Sequence, residues 1–116
     1  MIYNVCYYLH NLRAARLLAS ASQWYRHAHS KDIPLQSLAR LIQTMLYGKR
    51  FFPYYASVIL GGIDEEGKGA VYSFDMVGSY EREKCRAAGA ASALVQPFLD
   101  NQVRLLSSVY QCRQEC

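Results

Sequence analysis

The ten residues Tyr54–Ile63, YYASVILGGI, carry no charge at all. Successive side chains of an extended chain point to opposite faces. Here Ala56, Val58 and Leu60 fall on one face, and Ile59, Gly61 and Ile63 on the other. Neither set is polar. A strand without a polar face is covered on both sides, so this segment predicts a sheet held between two layers.

The strand runs into GGIDEEGKG, Gly61–Gly69, with four glycines, three acids and a lysine in nine residues. A phosphate loop needs Gly-Lys followed by Ser or Thr, between a strand and a helix. Lys68 is instead followed by Gly69 and an extended segment. A calcium loop needs oxygen ligands at alternate positions and a closing bidentate Glu, whereas Lys68, Ala70 and Tyr72 occupy the later positions. The remaining reading is a hairpin turn, with Gly67 and Gly69 supplying positive φ angles. Ala70–Phe74 then forms a second strand, closed by Asp75, and Ser79–Arg86 reads as an exposed short strand or loop.

Helices flank this hairpin. From Leu9 to about His29, Leu12, Ala15, Leu18, Ala21 or Ser22, and Tyr25 recur at helical spacing. Ser30–Pro34 breaks the pattern, with Asp32 as the expected N-cap and Pro34 in the first turn of the next helix. There Leu38, Leu41, Ile42, Met45 and Leu46 make one apolar stripe. Gly48 ends that helix and Pro53 prevents its continuation. A third helix is predicted from about Gly89, with Ala91, Leu94, Val95, Phe98 and Leu99 as its apolar face. Pro97 should kink it or end it early.

Composition sets outer bounds. With 116 residues and 13.2 kDa, the chain is one domain at most. Its 52% hydrophobic and 19% charged content is that of a globular protein. The net charge of +4 comes from scattered Lys and Arg, without a basic stripe, so no nucleic-acid partner is expected. No apolar run is long enough to span a bilayer, and no membrane partner is expected. The opening MIYNVCYYLHNLR lacks the layout of a secretory leader. Cys6, Cys85, Cys112 and Cys116 form no framework and predict free thiols in a reducing compartment. Cys112-x-x-x-Cys116 lacks a second ligand pair, so no metal is expected.

The segment Leu46–Glu83 closely resembles the proteasome β-subunit family, most specifically through RFFPYY (Arg50–Tyr55) and GGIDEEGKGAVYSFD (Gly61–Asp75). The likeness continues through Ala87–Val103 and, more faintly, back through QWYRHAHSKD. It is greatest to a non-catalytic member of the family. The resemblance implies an α+β fold, part of the α-β-β-α sandwich of N-terminal-nucleophile hydrolases. It also implies β-ring assembly in a 20S core particle that degrades ubiquitin-tagged proteins in cytoplasm and nucleus. Partners would be other β subunits and the α ring, with assembly chaperones as a further class. Relative to such subunits, residues 1–116 read as a single incomplete domain whose strand pairs before and helices after are missing, with 104–116 a divergent tail.

Active relatives use an N-terminal threonine as nucleophile, its own amine acting as base. The only threonine here is Thr44, in the middle of a predicted helix. His27 and His29 are two residues apart and face different sides; His10 stands alone. Asp64, Glu65 and Glu66 read as a solvated turn tip rather than an acid–base pair. No catalytic, cofactor-binding or metal residue is therefore expected. Arg50, Phe51, Phe52, Tyr54 and Tyr55 form the candidate subunit interface, although burial in the domain core would suit the aromatics equally. The leading expectation is a structural, non-catalytic subunit or fragment. The alternative is an independent interaction domain or a truncated isoform that never assembles.

Overall fold

The computed structural model describes residues 12–114. Three helices accompany a three-stranded antiparallel sheet, in the order α1 (Leu12–His29), α2 (Leu35–Gly48), β1 (Val58–Ile63), β2 (Gly69–Phe74), β3 (Tyr80–Glu83) and α3 (Ser92–Gln114). The strands lie in the order β1-β2-β3, with Leu60 opposite Tyr72 and Tyr72 opposite Arg82.

The core lies between α1, α2 and one face of the sheet. Leu18, Ile33, Leu35, Leu38, Ala39, Ile42 and Leu46 meet Val58, Leu60, Ala70, Tyr72 and Phe74. These strand positions alternate, as one buried face requires. Leu60 is wholly buried, and burying such a side chain stabilises by roughly 1.5–3 kcal/mol. The predicted stripe of α2 is thus its packing face, with Leu41 and Met45 at the margin of the cluster.

Among the described residues, cover on both faces of β1 does not form. Ile59 and Gly61 are only half-buried and Ile63 is 51% exposed. The helix layer closes one side, and the second face stays partly open. The strand is also shorter than its uncharged run. Pro53–Ser57 is irregular, because Tyr55 adopts φ 47°, a left-handed conformation that no strand residue holds.

Three local expectations are corrected. Asp32 does not cap α2: Pro34 occupies the N-cap position with no side-chain cap bond, and Asp32 instead pairs with Arg26 at 2.9 Å. Pro97 does not end α3, which runs on to Gln114. Proline sits early in that helix, where it removes only one backbone bond. The apolar face predicted for α3 is also rotated. Among its described side chains, Ser92, Gln96, Leu99 and Val103 are half-buried, whereas Leu94 is 82% exposed and Phe98 stands largely in solvent.

Candidate functional site

Two loops of this fold repeat one sequence, Asp-x-x-Gly-x. In Asp64-Glu65-Glu66-Gly67-Lys68 the Asp64 N–H donates to the Lys68 carbonyl at 2.9 Å, and the Gly67 N–H donates to the Asp64 carbonyl at 3.1 Å. Asp64 Oδ1 accepts the N–H groups of Glu66 and Lys68 at 3.0 and 3.1 Å. In Asp75-Met76-Val77-Gly78-Ser79 the same bonds recur: Asp75 N–H to Ser79 at 3.0 Å, Gly78 N–H to Asp75 at 3.3 Å, and Val77 and Ser79 N–H to Asp75 Oδ1 at 3.1 and 2.8 Å. Both glycines hold positive φ, 80° at Gly67 and 93° at Gly78. An aspartate that satisfies its own turn and a glycine that tolerates this backbone explain the shared spacing. Gly69 does not supply a positive φ, contrary to expectation; it simply opens β2. The second turn was open to detection from the repeated spacing, but hydrophobic periodicity does not report it.

The acidic tip is therefore a self-contained turn. Asp64 Oδ2 accepts from Arg82 at 3.0 Å, so both of its oxygens are engaged. The bond from the Lys68 amide, aided by those from Arg82 and Glu66, holds the Asp64 carboxyl below its ordinary pKa, overcoming the desolvation that would raise it. Glu66 faces Lys68 at 3.4 Å in an exposed pair. Thr44 donates its hydroxyl to the Arg40 carbonyl at 3.0 Å within α2. His29 stacks on Tyr25 with ring centroids 4.4 Å apart, and His27 is exposed on the same helix. Among the described residues no three His, Cys, Asp or Glu side chains could hold a metal ion together. Nor is any described helix long and apolar enough to cross a membrane. His10, Cys6 and Cys116 lie outside the described residues.

A small polar clamp that sequence reasoning missed fastens α3 to the segment before it. Gln96 accepts the Ala87 N–H at 2.7 Å and donates to Asp100 at 3.0 Å. The Cys85 thiol donates to the same Asp100 oxygen at 3.3 Å. That carboxylate bond, with some desolvation, raises the Cys85 pKa and favours the protonated thiol. No local pattern announces such a contact, because its members come from separate elements.

The aromatic segment after α2 divides. Lys49 caps the helix, and the N–H groups of Arg50 and Phe52 donate to Tyr47 and Lys49 carbonyls at 3.2 and 3.0 Å. These tight bonds leave Phe51 and Phe52 outside, Phe52 at 88% exposure. Arg50 lies over the rings of Tyr47 and Phe51, 4.5 and 4.6 Å from their centroids. Exposed cation–ring contacts of this kind contribute about 0.5–1 kcal/mol each. Tyr54 turns inward and packs against the core, whereas Tyr55 points out. The backbone re-enters the core at Ala56. Of the five interface candidates, Arg50, Phe51, Phe52 and Tyr55 therefore share the surface, and Tyr54 anchors the segment from below.

Known proteins are similar to this chain over most of its length. The family model described as "Proteasome subunit" matches residues 13–114. The chain is 65% identical over 82 residues to proteasome subunit beta type-6 of Saccharomyces cerevisiae, covering 70% of this chain and 34% of that protein. It is 49% identical over 92 residues to proteasome subunit beta type-1 of Danio rerio, covering 79% and 39%. To proteasome subunit beta type-1 of Arabidopsis thaliana it is 47% identical over 100 residues, covering 86% and 45%. The chain thus spans between about a third and a half of the length of these relatives.

Proposed function

The chain belongs to the proteasome subunit family, and from that premise we propose that it is a non-catalytic, type-1 β component of the 20S core particle that acts through its surfaces. Its three helices and three-stranded sheet are part of the α+β fold of N-terminal-nucleophile hydrolases. The observation that carries the proposal is the Arg50–Tyr55 segment. It holds large exposed aromatics around a stacked arginine, the residue types that anchor protein interfaces. Thr44 bonds within its own helix and Asp64 within its own turn.

In this reading the chain works in cytoplasm and nucleus. Its partners are neighbouring β subunits and the α ring, and an assembly chaperone shields the exposed aromatics beforehand. The test is co-sedimentation of the tagged chain with assembled core particles in cell lysate, paired with a peptidase assay on the purified chain. Migration with the particle, and no release from fluorogenic peptides above blank, is the expected result. A chain that stays in the light fractions would instead favour the independent interaction domain. Turnover that tracks the chain through purification would refute the non-catalytic assignment.

A further inference from the structure

Among the described residues, Gly67, Gly78 and Gly89 hold positive φ, and so do two residues that carry side chains, Ser30 at 56° and Tyr55 at 47°. A side chain costs stability in this conformation, which glycine adopts freely. For Ser30 the fold gives the reason. It follows the last residue of α1, and its N–H donates to the Arg26 carbonyl at 2.9 Å, a left-handed stop of the kind that ends many helices. Tyr55 ends no helix, and a bulky aromatic is an outlier at such a φ. Its backbone is pinned from both sides, because Tyr54 packs against the core and Ala56 is buried. Glycine would follow the same path without strain. The tyrosine ring gives nothing back: it is 76% exposed, and among the described residues nothing hydrogen-bonds to it or stacks on it.

We infer that Tyr55 is a contact residue for which this strain is kept, its ring held out by the left-handed backbone towards the neighbouring subunit of the core particle. The inference rests on the reading of Arg50–Tyr55 as a subunit contact. Strained backbone persists at binding sites where the surrounding structure over-determines it. Tyrosine is among the residues that carry most of the energy of protein contacts. The pinned backbone also fixes the direction of the Cα–Cβ bond, so the ring is presented with less freedom left to lose on binding. Substitutions that remove the ring should therefore improve folding and harm assembly.

The experiment measures Tm and co-sedimentation with core particles for the full 116-residue chain. Tyr55→Gly should raise Tm by roughly 2–6 °C, since relief of the positive φ exceeds the extra freedom that glycine gives the unfolded chain. The same variant should incorporate at least about tenfold less well than the parent. Tyr55→Asn, which tolerates this backbone, should melt no lower than the parent and incorporate as poorly as Tyr55→Gly. Tyr55→Phe keeps the ring and should incorporate like the parent. Ser30→Gly is the control: it should raise Tm similarly and leave incorporation unchanged, which separates loss of the ring from relief of strain. Phe51→Ala/Phe52→Ala, run alongside, separates this inference from the reading beneath it. If that double variant fails to join the particle while Tyr55→Gly joins like the parent, the inference alone is overturned. A parent chain that never joins, or a double variant that joins as the parent does, overturns both. A lower Tm in both Tyr55→Gly and Tyr55→Asn would show that the ring packs within this chain, and would also overturn the inference.

Discussion

Replacing Gly78 by alanine should destabilise the chain far more than the same change at either hairpin glycine. Gly78 sits at φ 93° with its turn pressed on α2, where an added Cβ would lie 2.7 Å from the Gln43 carbonyl oxygen and 3.2 Å from Leu46 Cβ. A left-handed backbone costs an L-residue roughly 1–2 kcal/mol. Forcing a methyl against helix backbone adds about 1–3 kcal/mol. The total of about 2–5 kcal/mol is a large share of a typical 5–15 kcal/mol stability, and should lower Tm by roughly 8–20 °C. Gly67 separates the two contributions, having φ 80° but no atom within 4 Å of an added Cβ. Gly67→Ala should therefore lose only about 1–2 kcal/mol. Gly69 has neither constraint, and Gly69→Ala should stay within about 0.5 kcal/mol of the parent. Urea unfolding of all three at one protein concentration gives the ranking. Equal losses at Gly78 and Gly67 would refute the close docking of the second turn on α2.

Leu60→Ala, at the fully buried centre of the core, should cost about 2–5 kcal/mol by the same unfolding assay. The folded-state pKa of Asp64 lies below its unfolded value of 3.8, so its ionised form favours folding. That contribution is complete above pH 3.8 and fades as pH falls through the lower, folded value. Asp64→Asn should accordingly flatten the acid limb of the stability–pH curve, as read by fluorescence or circular dichroism, while lowering stability above that limb, where the ionised form's contribution is complete. Phe98→Ala, at an exposed site on α3, should change stability by no more than about 0.5 kcal/mol, as thermal melting will show.

Much of the hairpin and of α2 could be read directly from the residues. The glycine and aspartate of the first turn have local reasons to be there, and the α2 stripe reports a face that α2 does bury. What escaped reading depends on partners distant in the chain. An uncharged strand implies two covers, yet among the described residues the α1–α2 layer covers one face of β1, leaving Ile63 half in solvent. Leu94 and Phe98 look like core residues by spacing, but the Gln96–Asp100–Cys85 clamp fixes α3 with its other side inward. Asp32 has the chemistry of an N-cap and is drawn away by Arg26. The aromatic run could be assigned to core or surface only once the Lys49–Phe52 turn showed Tyr54 pointing in and its neighbours out.

If this chain works through the Arg50–Tyr55 surface within a proteasome core particle, losing the exposed aromatics should abolish incorporation without unfolding the chain. The most direct test compares the tagged parent chain with Phe51→Ala/Phe52→Ala in glycerol-gradient sedimentation against purified core particles. Both side chains are exposed, so the double variant should melt like the parent. The parent should co-migrate with the particle and the variant should remain in the light fractions. Equal incorporation of both, or of neither, would contradict the account.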